Sequence, residues 1–334
     1  MLHETHQDVQ HAEGNELQVS EQLAEARDGS ELEEVVIAVM GASGTGKSTF
    51  INLLSGSNLR VGDGLRSCTS KVETSCSFPL LGKLVTLIDT PGFDDTIVSE
   101  TDILTMIAVY LSASYQAGYK LNGVIYMHRI SDYRVGGISL RNFNMFRKLC
   151  GDETLTNVAI VTTFWSEVDL ARDAERERQL STDNLLFASI IQGGAIMLRH
   201  DGMQAGALSV VERFTDKKPR ILRIQRELVE EGKSITETAA GMELVRRLST
   251  LQESYVDQLT QLQTDIDDMF LKRDMSLEKE LEHVRQDLLR ALEKTTRDRD
   301  RISREYAEQR AAADLKVQRY KQSFMRNSSR WSNT

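Results

Sequence analysis

Eight consecutive residues carry the clearest chemistry in the chain: Gly41-Ala42-Ser43-Gly44-Thr45-Gly46-Lys47-Ser48. The spacing is G-x-x-x-x-G-K-S, a glycine-rich turn that ends on a lysine and a hydroxyl. Glycine at 41, 44 and 46 lets the backbone curl until its N–H groups converge on one point, a concavity suited to an anion. A helix starting near Lys47 adds the positive end of its dipole to that point. Lys47 can reach the outer phosphates of a nucleotide, and the Ser48 hydroxyl can bind Mg²⁺. The predicted phosphate-binding set is Gly41, Ser43, Gly44, Thr45, Gly46, Lys47, Ser48 and Thr49. A turn that only joined strand to helix would give no reason for the Lys-Ser pair at its end.

A second group lies at Asp89-Thr90-Pro91-Gly92-Phe93-Asp94. D-x-x-G at the end of an apolar strand places a carboxylate to bind Mg²⁺ through water and a glycine N–H to touch a γ-phosphate. Asp, Pro and Gly also favour ordinary turns. Behind a complete phosphate loop, however, the spacing reads as the other half of one site.

Both groups need strand ends to hold them. Val35–Met40 is an apolar run before the loop, and Thr49–Leu54 reads as the helix after it. Asn58–Lys71 reads as a loop. Val72–Phe78 and Leu84–Ile88 are predicted as an antiparallel edge pair joined through Pro79–Lys83, with Gly82 at the turn. Helices are expected over Ser99–Gln116, Ser139–Leu149, Val168–Leu180 and Asn184–Gln192. Strands are expected over Gly123–Ile130, Asn157–Phe164 and Ala195–Leu198. Such alternation predicts an α/β fold, a three-layer arrangement with a mostly parallel sheet. Ligands in such sheets sit at the carboxyl ends of the strands, where both motifs fall.

The 334 residues allow about two domains. A net charge of −9 argues against a nucleic-acid partner. No apolar run is long enough to span a membrane, the N-terminus is polar rather than a signal peptide, and cysteines are few, so a cytoplasmic protein is expected. The boundaries read as a disordered acidic tail at 1–33, a nucleotide-binding domain at 34–219 and a helical region at 220–334. His3, His6 and His11 in the tail offer no fixed metal geometry.

In the last region Ile221–Val229 has helical spacing, and Gly232 and Gly241 bracket an interruption. From Met242, Leu244, Leu248, Leu251, Tyr255, Leu259, Leu262 and Ile266 recur at three- and four-residue steps. Leu277, Leu281, Val284, Leu288 and Leu292 repeat the rhythm, predicting long helices in a coiled coil, with another copy or packed within the chain. The end of the chain, Arg319 to Trp331, mixes basic and aromatic residues and allows weak contact with anionic lipid, or a solvated helix end.

Taken together, the motifs resemble the GTPase domain of the translation-factor-related class, and more closely its septin-like branch with the AIG/GIMAP and Toc GTPases. Arg141–Gly151 and Val161-Thr162-Thr163-Phe164-Trp165 resemble phrases in fungal G domain-containing proteins of that branch. The resemblance spans roughly Glu34 to Gly241. It implies GTP/GDP and Mg²⁺ as ligands. Metal contacts would come from Ser48, Thr69 and Asp89, with Thr69 and Gly92 as the switch positions that act in catalysis. It also implies base contacts near Thr163, Trp165 and His200.

The sequence departs from that family at the guanine-reading motif N/T-K-x-D. Here the strand ends Thr163-Phe164-Trp165-Ser166-Glu167-Val168-Asp169, with no lysine and with Ser166 where the aspartate would fall. Glu167 or Asp169 can substitute, and Trp165 either stacks on a base or closes the sheet edge. Phe93 stands where Ras-type enzymes place the water-orienting glutamine, which implies slow or partner-dependent hydrolysis. Arg66, Arg129 and Arg134 are candidates to help in trans. The expected function is a GTP-binding switch or assembly scaffold that self-associates through the G domain or the coiled coil. The alternatives are an interaction module with static nucleotide and an ATP-specific P-loop NTPase.

Overall fold

The computed structural model describes residues 32–61, 71–95, 98–132, 137–165, 169–272 and 278–331. Thr69, Arg66, Arg134, Ser166, Glu167, Leu277 and the 1–31 part of the predicted tail lie outside them.

The described residues fall into two compact units, the first drawn from 32–92, 119–143 and 152–221, the second from 93–118, 144–151 and 222–331. In the first, a seven-stranded sheet has the order β2-β4-β1-β5-β6-β7, with β3 also on β4. Its strands are β1 (Glu34–Gly41), β2 (Glu73–Thr74), β3 (Phe78–Leu80), β4 (Lys83–Asp89), β5 (Gly123–Arg129), β6 (Val158–Thr163) and β7 (Ile196–Arg199). The pairs β4-β1, β1-β5, β5-β6 and β6-β7 are parallel, while β2 and β3 run antiparallel to β4 at the edge. The predicted α/β sheet is therefore present.

The edge differs in detail from expectation. Val72–Phe78 is not one strand but two short pieces, and Pro79 lies inside β3. Proline has no N–H for a second neighbour, and β3 pairs with β4 alone. The turn tightens to Leu81-Gly82, with φ of 50° and 72°. Two positive φ values match the twist of a two-residue hairpin.

Alternate residues of the central strands form the core. Ile37, Val39, Leu87, Ile125 and Val161 pack with Phe50, Ile51 and Leu54 of α1 (Lys47–Ser55). The same face takes Ala207, Val210, Val211 and Phe214 from a helix at Gln204–Thr215 that the sequence reading does not anticipate. A Cβ on Gly123 would lie 2.1 Å from the Phe214 ring, so glycine lets that helix close on β5. Between the strands lie α2 (Glu100–Gln116), α3 (Gly137–Cys150), α4 (Leu170–Thr182) and α5 (Ala188–Gln192); the Gln204–Thr215 helix is α6. The helix predicted over Val168–Leu180 starts and ends two residues later. The one predicted at Asn184–Gln192 shortens to α5, because Asp183 Oδ1 accepts from Leu185 N and makes a turn first.

In the second unit, Ser99 caps α2 by accepting from Asp102 N at 3.1 Å. The long helices α7 (Ala239–Lys272) and α8 (Glu278–Trp331) pack on each other, and α8 packs on α2. Gln252 Nε2 donates to Thr296 Oγ1 at 2.8 Å, Arg299 donates to Gln252 Oε1 at 2.7 Å, and Arg301 pairs with Asp102 at 3.0 Å. These contacts lie within one chain. The predicted helix at Ile221–Val229 is a single turn, Arg223–Gln225, followed by a π-helix, Arg226–Glu230. The wider π turn carries buried Glu227, which accepts from Ala239 N at 2.9 Å and so caps α7. Gly241 sits inside α7 instead of ahead of it, since a Cβ there would meet Ile235 O at 1.8 Å.

Candidate functional site

Parallel register brings the carboxyl ends of the strands together. Val39 lies beside Asp89, Gly41 beside Met127, Arg129 beside Thr163, and Thr162 beside Arg199. β1 turns at Gly41, whose φ of 140° and whose hypothetical Cβ, 2.3 Å from Met127 O, both require glycine. Gly44 and Gly46 follow with φ of 73° and 91°, and α1 begins at Lys47. The curl predicted from glycine spacing is formed.

Lys47 is buried, and its Nζ donates back to Ala42 O at 2.8 Å and Gly41 O at 3.2 Å. Thr45 Oγ1 donates to Ala42 O at 2.9 Å, which braces the loop from inside. Ser48 Oγ donates to Asp89 Oδ2 at 2.6 Å. Asp89 is wholly buried, and among the described residues its Oδ1 has no hydrogen-bond partner. Burial raises the Asp89 pKa above the usual carboxylate range, while the Ser48 bond and the Lys47 charge pull it down. An acceptor left unmatched in a buried site costs about 1–3 kcal/mol.

Those features fit a hard cation. Mg²⁺ takes oxygen ligands, often only one or two from protein with the rest from phosphate and water. Ser48 and Asp89 supply a hydroxyl and a carboxylate 2.6 Å apart. Among the described residues no cluster of three metal-ligating side chains exists, so a cage made wholly of protein is not what these residues offer.

Thr90 Oγ1 donates to Val39 O at 2.9 Å and locks the D-x-x-G turn to β1. Gly92 then lies so close to the loop that a Cβ would be 2.2 Å from Ser43 Oγ. Phe93 is buried and has no polar atom to orient water. Thr49 is exposed on α1.

At β6 the chain reaches the loop from the other side. Thr163 Oγ1 donates to Thr45 O at 3.0 Å. Phe164 follows with φ of 58° and is 49% exposed; the Arg129 guanidinium lies 4.3 Å from its ring centre. Trp165 donates its indole N–H to Thr162 O at 3.2 Å and to Thr162 Oγ1 at 3.1 Å. The Arg199 guanidinium stacks over the Trp165 ring at 4.2 Å and pairs with Glu177. His200 is buried edge-on against Phe50, with centroids 5.2 Å apart, and its backbone N–H donates to Thr162 O at 2.9 Å. Burial lowers the His200 pKa, and nearby Asp201 opposes that shift.

The structure thus gathers Gly41–Ser48, Asp89, Gly92 and Thr163 around one end of the sheet, with Trp165 and His200 at the β6 and β7 ends. The sequence reading passes over Thr90, Arg129 as a partner of Phe164, and Arg199. Only the missing lysine at 164 is a local signal.

No curated protein matches the chain by sequence. Among solved structures, Toc33 from Arabidopsis thaliana in complex with GDP and Mg²⁺ is 18% identical with a TM-score of 0.45, covering 61% of this chain and 95% of that one. Toc33 in complex with Mg²⁺ and GMPPNP is 17% identical, TM-score 0.45, covering 60% and 92%. The G domain of the T. maritima FeoB iron transporter is 17% identical, TM-score 0.35, covering 55% and 98%. Residues 36–134 match the family model described as 50S ribosome-binding GTPase. That match runs from β1 through the Gly41–Ser48 loop and the Asp89–Gly92 turn to the end of β5, and this segment is part of a P-loop GTPase domain.

Proposed function

We propose that this chain binds GTP with Mg²⁺ and acts as a nucleotide-gated switch or assembly scaffold whose hydrolysis is slow or partner-dependent. The observation that carries the reading is the Ser48–Asp89 contact at 2.6 Å, with the second Asp89 oxygen buried and unmatched among the described residues. A wholly buried carboxylate beside a lysine at a helix N-terminus makes a poor structural element and a good cation seat.

In this reading Gly41, Ser43, Gly44, Thr45, Gly46, Lys47, Ser48 and Thr49 hold the phosphates, and Lys47 exchanges its bonds to Gly41 O and Ala42 O for phosphate oxygens. Ser48, Asp89 and Thr69 hold the metal, whose chemistry when bound is to neutralise charge on the phosphates. The Gly92 N–H meets the γ-phosphate, and Thr163, Trp165 and His200 border the base. Buried Phe93 supports slow hydrolysis, since its side chain cannot hold the attacking water. Residues 34–219 serve as the G domain and 220–334 as a helical region that sets partners or self-association.

Nucleotide affinity should be measured with and without Mg²⁺ in the wild type and in Asp89→Asn. The wild type should bind GTP more tightly with Mg²⁺, and the variant should lose that gain. Single-turnover hydrolysis and the oligomer size with GTP and with GDP complete the test; one size for both would remove the switch and leave a statically bound nucleotide. ATP is a second reading, favoured by Phe164 where a guanine reader would carry lysine. Competition of labelled GTP by ATP separates the two.

A further inference from the structure

We propose that Phe164 is the platform on which the nucleobase stacks, so that this chain holds its base by an aromatic face. The inference rests on the nucleotide reading above and names the residue that serves the base.

Sheet order decides where the base must go. Asp89, which ends β4, and Gly92 in the turn after it face the terminal phosphate in that reading, on one side of β1. The other end of the nucleotide is then directed to the opposite side, toward β5 and β6. Thr163 closes β6 there, and its hydroxyl donates to Thr45 O inside the loop. The next residue is therefore held beside the loop. The Phe164 ring lies 3.7 Å from where a Cβ on Gly46 would sit, and Gly46 has none.

The backbone of Phe164 gives the second observation. A φ of 58° is an outlier for a bulky residue and costs stability. Burying the ring would offset that cost, yet the residue is 49% exposed. Arg129 holds the ring from one face, with its guanidinium 4.3 Å from the centroid and its Nε bonded to Ser131 Oγ at 3.1 Å. An aromatic ring kept exposed, oriented and strained next to a phosphate-binding loop suits a flat ligand. Trp165 is less suited, because none of its atoms comes within 4 Å of the point where a Gly46 Cβ would sit and its N–H is committed to Thr162. Every base has a π-face, so stacking strengthens binding while discriminating little between guanine and adenine.

The test compares GTP, ATP and inorganic tripolyphosphate, each with Mg²⁺, by titration calorimetry on the full chain. Phe164→Gly should weaken GTP and ATP by a similar factor, on the order of 10-fold, and leave tripolyphosphate unchanged. It should also raise the melting temperature of the ligand-free protein, since glycine accepts φ of 58° without strain. Phe164→Trp should restore nucleotide affinity. Unchanged GTP affinity in F164G would overturn the proposal, as would an equal loss of tripolyphosphate, a loss for GTP alone, or a lower melting temperature. If the wild type binds neither nucleotide nor tripolyphosphate, the nucleotide reading itself fails. Tripolyphosphate binding that is lost in Lys47→Ala keeps that reading intact whatever Phe164 does.

Discussion

The two ends of the candidate site are built in opposite ways. The end assigned to phosphate in the proposed reading comes from one run, Gly41–Ser48, closed by a single short turn at Asp89–Gly92, and its charged groups are buried. The end assigned to the base gathers Arg129, Thr163, Phe164, Trp165, Arg199 and His200 from three strand ends, and aromatic rings with guanidinium groups dominate it. Holding an anion needs converging backbone N–H groups and a helix end, and a local motif can make both. Holding a flat base needs faces, and faces are supplied by residues far apart in sequence. In the proposed reading the first end grips the phosphates, and the second adds stacking that discriminates little between bases.

The sharpest way to break this contrast is Lys47→Ala. It removes the buried ammonium, and GTP affinity should fall on the order of 100-fold or more, as expected for charge-assisted bonds. Titration calorimetry reads this directly; an affinity within threefold of wild type would remove the phosphate end from the mechanism.

His128, on β5 between the two ends, is next in size. Burial pushes its pKa down to about 4, from an ordinary value of 6.5. Below pH 6.5 the unfolded chain takes up a proton that the folded chain refuses until about pH 4. Stability should therefore fall as pH drops through that window, by about 3 kcal/mol in all. Urea unfolding between pH 7 and 4.5 measures the slope, and His128→Gln should flatten it.

Gly92→Ala probes the closure of the phosphate end. Its Cβ would sit 2.2 Å from Ser43 Oγ and 2.5 Å from Ser43 N, and backbone cannot swing aside as a side-chain tip can. A stability loss of about 1–3 kcal/mol is expected, as for other overpacked sites, together with a weaker preference for GTP over GDP. Equal preference in variant and wild type would detach Gly92 from the γ-phosphate.

The smallest effect belongs to Arg199. Arg199→Ala removes an exposed cation–π contact with Trp165 and a surface ion pair with Glu177. Each is worth about 1 kcal/mol or less, so the melting temperature should drop by a few degrees. Nucleotide affinity should change less than threefold. A larger loss of GTP than of ATP would mean that the base end reads guanine after all.

Much of the fold was legible because its signals are periodic and local. Short β-branched apolar runs such as Val35–Met40 and Val158–Val161, spaced by helical patterns, read as buried strands of a parallel sheet. Helix α6 carried the same kind of signal, Ala207, Val210, Val211 and Phe214 at helical steps, but its flanks offer few cap residues, and its place in the core depends on Gly123 one strand away. The π turn at Arg226–Glu230 has no local mark at all, because the carboxylate of Glu227 reaches forward to cap α7.

By itself the sequence determined the curled glycine-rich loop, its partner turn and the strand-helix alternation, since glycine freedom, a Lys-Ser pair and hydrophobic period act over a few residues. Tertiary structure alone decided that Ser48 meets Asp89, that Gly92 presses on Ser43 and that Phe164 rather than Trp165 stands beside the loop with Arg129 on its face. The physical reason is register: parallel pairing aligns strand ends that lie far apart in the chain, such as Val39 with Asp89 and Arg129 with Thr163, and no short stretch of residues encodes which ends will meet.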